Sequence, residues 1–426
     1  MKRKFLVLFA VVLIVGLVFA SGPEVVSGAP PIVLGVPNAL RHTTGFGTWK
    51  AAELAADEIN AKGGVLVGGV KRPIKIVTIE TREDEPGIPL HEALMAHEKL
   101  ILQQKPDAIA ASGFRSEVIL AAMDLYAKYK LVHMSTISMS PVIPKKFLED
   151  PVKYKYTFKT NSDSIYSAKV VQGSLELIRK AYGFNKVYFI LQDTLWARGL
   201  GDALKKGIEP LGWKVIAEDF YPVGAAEFSP SLTKAKEAGA QVIVPIFDMV
   251  EAVALPKQIR TMKVPAIMCG LIAPLSPSAA WKAFGEDIEY SVQNLWIGGL
   301  IPVKAIPESV KFWENLGKKF GEEARGKMCV DNGTTSGYVA VYALAAAITR
   351  AGTLDSDALV AAMEKTDLMS PMGRIRFGKD HAVIFGFENP KETAIGCAFQ
   401  WVKGRQEPVF PELIAKEKIL LPPWMK

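Results

Sequence analysis

The chain has 426 residues, 49% of them hydrophobic and 22% charged, a balance that excludes a disordered chain. The length exceeds one ordinary core, so two or more domains are expected. The net charge is +7, of which Lys2, Arg3 and Lys4 supply three; the rest is scattered, with no basic block interleaved with aromatics, which argues against nucleic-acid binding.

The first twenty residues read MKRKFLVLFAVVLIVGLVFA. A basic start leads into the 16-residue apolar run Phe5 to Ala20, which closes on Val-Phe-Ala before Ser-Gly. This pattern predicts a secretory signal peptide over residues 1–20, cleaved after Ala20, and hence a periplasmic or otherwise extracytoplasmic protein. As a helix the run spans about 24 Å at roughly 1.5 Å per residue, short of the ~30 Å hydrocarbon core an anchor must cross. No Cys follows it for lipid attachment, and no later segment is apolar enough to span a membrane.

From residue 32 onward, short apolar runs alternate with helical patterns. Strands are predicted at 32–36 (IVLGV), 74–80 (IKIVTIE), 107–112 (DAIAAS), 131–135 (LVHMS) and 154–159 (YKYTFK). Helices are predicted at 47–64, within 87–105, and at 116–129. A second series places strands at 186–191 (KVYFIL), 214–221, 241–247 (QVIVPIF) and 265–270, with helices near 164–181, 199–209, 229–238 and 250–262. Regular alternation of this kind predicts an α/β fold: two similar doubly wound lobes with parallel sheets.

In open parallel sheets, ligands bind beyond the carboxyl ends of the strands. The residues just after each apolar run are therefore candidates: Phe46, Phe114 to Ser116, Ser135 to Ser140, Trp196, Phe247, Asp248 and Leu271. A loop aromatic is more often a packing residue, but aromatics recurring at equivalent strand ends point to a ligand cleft. In IAASGFRSEVILAAM (109–123), Ser116 opens a helix. It is either an N-cap or part of an anion site at a helix N-terminus, where a carboxylate gains ~0.3–1 kcal/mol from the dipole. Arg115 is a second possible anion contact, and Phe114 a possible cover for an apolar ligand part. In HMSTISMSP (133–141), the hydroxyls are either turn formers or contacts to a polar head group.

Catalytic signatures fail. His91 and His97 are six apart, where a helical zinc pair needs four. GVLVGGVK lacks the Gly-Lys-Ser/Thr of a P-loop, GFGTWK is not G-x-G-x-x-G, and no G-x-S-x-G elbow occurs. Cys269, Cys329 and Cys397 are odd in number, far apart and without His at ligand spacing. At most one disulfide is expected, at least one buried free thiol, and no metal site or cofactor. A binder rather than an enzyme is favoured.

Five stretches in order carry a resemblance: GTWKAAELAADEINAKGGV (47–65), MDLYAKYKLVHMSTISMSP (123–141), SGYVAVYALAAAITRAG (336–352), MGRIRFGKD (372–380) and FQWVKGRQEPVFPELIA (399–415). Over roughly residues 31–426 the chain resembles the type I periplasmic binding proteins of the branched-chain amino-acid (leucine/isoleucine/valine) family, which serve ABC importers. The resemblance implies two lobes joined by three hinge crossovers, near 158–163, 296–302 and 367–378. Lobe one would be 31–160 plus 300–370, lobe two 161–299 plus 371–402, with 403–426 a C-terminal extension packing on the lobes. It also implies a monomer that captures a small molecule and docks on permease subunits in the inner membrane.

The family's contacts carry over to Ser116 for the carboxylate, to Ile137, Ser138 and Met139 after the next strand, and to the aromatics Phe46 and Trp196. A further contact falls at Phe247 or Asp248. The family's ammonium-binding acid aligns with Leu271, a departure. Burying an unpaired ammonium costs several kcal/mol (roughly 2–7 for an unpaired polar group, more for a charge), so an α-amino acid would bind poorly unless Asp248 substitutes. The expected ligand is a branched-chain or hydrophobic amino acid, or an apolar or aromatic carboxylate. A sensory domain of the same fold is the alternative, disfavoured because the chain stops at LPPWMK; an exported hydrolase is a remote third.

Overall fold

The structure, a computed structural model, describes residues 29–295, 301–328, 333–415 and 418–425. The predicted signal peptide and Cys329 lie outside these residues. In chain order the first series is β1 (Ile32–Asn38), α1 (Thr43–Ala61), a hairpin of β2 (Val65–Val67) and β3 (Val70–Arg72), β4 (Ile74–Glu80), α2 (Leu90–Gln104), β5 (Ala108–Ser112), α3 (Ser116–Tyr129), β6 (His133–Ser135), α4 (Val142–Glu149) and β7 (Thr157–Lys159). The second is α5 (Ser164–Tyr182), β8 (Lys186–Gln192), α6 (Leu195–Ile208), β9 (Lys214–Tyr221), α7 (Ser229–Glu237), β10 (Val242–Phe247), α8 (Ala254–Thr261), β11 (Ile267–Ile272), α9 (Ala280–Phe284) and β12 (Val292–Leu295). Then follow α10 (Pro307–Phe320), α11 (Glu322–Lys327), α12 (Gly333–Ala351), α13 (Ser356–Met363), β13 (Asp367–Ser370), β14 (Gly373–Arg376), β15 (Phe385–Gly386), β16 (Ala394–Ile395), β17 (Cys397–Val402) and β18 (Arg405–Phe410).

The first sheet has the order β4-β1-β5-β6-β7 and is parallel throughout. The second, β18-β17-β12-β11-β10-β8-β9, is parallel from β12 to β9. Its far edge departs from the all-parallel expectation: β17 and β18 run antiparallel, as a returning hairpin can without a crossover helix. Pro408 sits in the outermost strand, where its missing N–H breaks no ladder between two neighbours.

Side chains alternate across each strand, so a strand covered on both faces must be apolar at every position. On β8, Val187, Phe189 and Leu191 pack with α5 and α6, whereas Tyr188 and Ile190 pack with α7 and α8. The first sheet is covered likewise, by α1, α12 and α13 on one face and α2 and α3 on the other. The chain passes between the sheets after β7 and through a four-stranded sheet β13-β14-β16-β15 ahead of β17; the crossover expected near 296–302 lies mostly outside the described residues. Lys159 of β7 pairs in backbone with His381 and Val383, so the first and third passages lie side by side.

Cys269 and Cys397 are buried free thiols, each pushed up to about 12 by burial. Beneath β5, Tyr126 shares a hydrogen bond of 2.5 Å with His97 Nδ1 and stacks on His133 at 4.1 Å, and His133 Nε2 meets Ser112 Oγ at 2.5 Å. Burial holds His97 down to about 3 and His133 well below the usual range. Both rings are neutral when folded and charge near 6.5 when unfolded. Their stabilisation is therefore complete above about pH 6.5 and is lost progressively as pH falls below it, for His97 down to about 3. Urea denaturation at pH 5 should give a stability lower than at pH 7 by up to about 2 kcal/mol for each histidine. His97→Phe should flatten its share of that slope; an unchanged slope would remove the assignment.

Candidate functional site

Contacts of His42 and Arg115, from the loops after β1 and β5 of the first sheet, with Asp248, just after β10 of the second, bring the strand ends of the two sheets together. The loop after β5 turns through Gly113 at φ 93°. A Cβ there would lie 2.2 Å from Ile119 Cγ1, so glycine is required for the close approach of the loop to α3. Phe114 follows, buried, with the His42 ring edge-on at 4.6 Å and the Arg115 guanidinium carbon 4.9 Å from its centroid.

Arg115 reaches across the cleft. Its Nη1 donates to Asp248 Oδ2 at 2.6 Å, with 12% and 14% of the two side chains exposed. Trp196 Nε1 donates to the same oxygen at 2.9 Å, and Gln192 Nε2 to Oδ1 at 2.7 Å. Gln192 Oε1 in turn accepts from Asp248 N at 3.0 Å. The carboxylate is thus held by one cation and two neutral donors. His42 adds a second tie. Its Nδ1 accepts from Thr44 N, capping α1, which fixes the tautomer with the proton on Nε2. That Nε2 donates to Asp248 O at 3.0 Å.

Arg115 is positioned by Glu83, whose Oε2 accepts Arg115 N at 2.8 Å and whose backbone oxygen accepts Nε at 3.2 Å. Burial pushes the Glu83 carboxyl up to about 7, against the hydrogen bonds from Arg115 N and Thr81 Oγ1 that favour its charged form. Glu117, in the first turn of α3, accepts Leu195 N at 3.2 Å and so supplies α6 of the other lobe with an N-terminal partner that its own residues do not.

Ser116 is buried and is the first helical residue; Arg115 occupies the N-cap position without a side-chain bond. The Ser116 hydroxyl accepts Ser140 N at 3.3 Å instead of capping α3, which leaves its proton to donate. Ser138 Oγ donates to Gly113 O at 2.8 Å, so its proton is committed to the protein. Ile137 packs with Ala39 and Phe114, and Met139 with the core that contains Trp196 and Leu271. Phe46 is half-buried near the start of α1, 6.3 Å from Trp49.

Phe247 lies elsewhere. It shares the parity of Ile243 on β10, so its ring turns to the α7–α8 face, wholly buried and edge-on to Phe228 at 5.5 Å. A cleft of about 140 Å³ brings Phe114, Arg115 and Asp248 together with His42 and Val223. Ser116, Ser138, Ile137, Met139, Trp196 and Phe46 do not line that opening. His42, Glu83, Glu117 and Gln192 were not singled out from the sequence, although His42 and Gln192 stand just past or at the ends of apolar runs, where the strand-end rule applies.

Two α/β lobes with parallel sheets, linked by the passages after β7 and ahead of β17 and meeting at their strand tips, define the architecture of a hinged solute receptor. The periplasmic binding protein family model matches residues 39–387, and the chain belongs to that family. It is 23% identical over 380 residues to the Leu/Ile/Val-binding protein homolog 8 of Brucella abortus, covering 87% of each chain. A putative branched-chain amino acid ABC transporter protein from Silicibacter pomeroyi superposes with a TM-score of 0.77 at 20% identity, over 93% of this chain and 100% of that one. A solute binding protein of an R. palustris ABC transporter, solved in complex with benzoate, superposes with a TM-score of 0.72 at 16% identity, over 91% and 99%.

Proposed function

We propose that this chain is exported by a cleaved signal peptide and acts as a monomeric receptor. It captures a small organic carboxylate with an apolar body and delivers it to the permease of an ABC importer. The lobes are residues 31–160 plus 300–370 and 161–299 plus 371–402, with β18 on the edge of the second. Ser116 and the first-turn amides of α3 hold the carboxylate, Ile137 to Met139 flank it, and Phe46, Phe114 and Trp196 enclose the apolar part. The protein has no catalytic role in this reading.

The observation that carries the ligand class is the state of Asp248. Both its oxygens accept hydrogen bonds, and Arg115 neutralises its charge. Leu271, the other position for an acid, is apolar and buried. An incoming ammonium would have to displace Arg115 or be buried unpaired, at a cost of several kcal/mol (about 1.4 per factor of ten in affinity). A branched-chain amino acid is the second reading, favoured by the name of the Brucella relative.

Calorimetry with benzoate, 4-methylpentanoate and leucine separates them. The last two differ in the amino group, and 4-methylpentanoate should bind at least about tenfold more tightly. Tighter binding of leucine would overturn the ligand class. Binding of no member of a broad panel of carboxylates and amino acids would overturn the receptor reading itself.

A further inference from the structure

A second cavity, of about 160 Å³, shares no lining residue with the cleft. It is an open pocket lined by α1, α10, α12 and the start of the third passage, and its walls include Glu58, Phe312, Tyr338, Tyr342, Leu368 and Met369. The Glu58 carboxylate is half-buried. Asn315 Nδ2 donates to its Oε1 at 2.6 Å, and Tyr342 OH to its Oε2 at 2.7 Å, beside a short bond from Tyr338 OH. All three donors are neutral, and none of the ion pairs among the described residues includes Glu58. A carboxylate offers about four acceptor positions, so one remains.

The rings are arranged to favour positive charge. Phe312 and Tyr338 stand 4.5 Å apart, Tyr338 and Tyr342 4.9 Å, both tilted. Lys62 Nζ already lies 5.9 Å from the Tyr342 centroid. Burial, and next the bonds to Glu58, hold both phenols well above their usual range, so they stay protonated and remain donors to the carboxylate. An unneutralised carboxylate at the back of an aromatic and aliphatic chamber is the complement of an ammonium carrying a short apolar arm. Glu308 and Lys311 also line the cavity: the first adds negative charge, the second is the rival cation within the chain.

We propose that the Glu58–Tyr338–Tyr342 cavity is a binding site for a small organic cation, separate from the interlobe ligand site. Because Leu368 to Pro371 form one wall, an occupant bridges the first-lobe helices and the third passage. The reading is independent of the ligand proposed for the cleft.

The test is titration of the whole mature chain with n-butylammonium and with its neutral analogue 1-butanol, followed by ligand-observed NMR. Saturable millimolar binding of the ammonium is expected, with the alcohol at least about tenfold weaker. Glu58→Gln, which keeps an oxygen for Tyr338 and Tyr342, should weaken the ammonium by about tenfold or more. Met369→Trp, at a position 44% exposed, should fill the cavity and abolish binding without touching the Glu58 network. Lys311→Met should tighten binding. No saturable binding, equal binding of the alcohol, or binding that survives Met369→Trp would each overturn the proposal.

Discussion

Asp248→Ala is expected to open the ligand-free molecule. The substitution removes the counter-ion of Arg115 and the acceptor of Trp196 and Gln192 in one step, leaving His42 and Glu117 as ties between the lobes. Deleting one partner of a shielded ion pair typically costs about 3–5 kcal/mol, because the other charge is left behind. Much of that is relieved if the lobes separate and water reaches Arg115. Small-angle scattering of the ligand-free protein should therefore show a larger radius of gyration than the parent. Ligand affinity should fall by about ten- to a hundredfold, since closure must now be driven by the ligand alone. Asp248→Asn, which can still accept from Trp196 or Gln192, should lie between. Identical scattering and affinity in all three would show that the Arg115–Asp248 contact does not hold the lobes together.

The second large effect belongs to Lys159, at the first passage. This lysine is 2% exposed. Its ammonium donates to Asn161 O at 2.8 Å and Asn161 Oδ1 at 2.7 Å, and also to Ser162 O. The backbone between the lobes is thus wrapped around a buried cation. Lys159→Ala leaves these oxygens without a donor and a void where the stem lay; about 2–5 kcal/mol should be lost in chemical denaturation. Lys159→Met restores the volume without the donors and should recover part of it. Burial lowers the ammonium to about 7 from an unfolded value of 10.5. The unfolded chain then binds more protons between those values. The parent should gain stability relative to Lys159→Met as pH rises from about 7 to 10.5, and lose it as pH falls back through 7. A difference independent of pH would mean that the lysine keeps its ordinary proton affinity inside the fold.

Most of the sheet framework was legible because buried parallel strands leave unbroken apolar runs. KVYFIL and QVIVPIF are β8 and β10 within a residue or so, since every position on them must face a helix layer. The hairpin of β2 and β3 is not among the predicted strands although VLVGGVKR carries a two-glycine turn between apolar residues: each arm is only three residues long, too short for a clear alternation. α4 was hidden by Pro141 and Pro144 at its start, where proline is tolerated and not disruptive. The helix expected at 250–262 splits into a tight turn at Val250–Val253 and a shorter α8.

At the site, residue types at strand ends could be found, but pairings could not. Arg115 and Asp248 are 133 positions apart, and nothing in a single sequence says that one neutralises the other. The same holds for Ser138, whose hydroxyl turns to Gly113. Strand parity did contain the answer for Phe247: it lies an even number of residues from Ile243, on the face that packs beneath helices.

The placement of Glu117 has a consequence for α6. α6 begins at Leu195 with no cap from its own residues, and its first amide is satisfied by a carboxylate belonging to the opposite lobe. The partner of that first amide therefore exists only while the loops after β5 and β8 stay together, and substitution of Glu117 removes it.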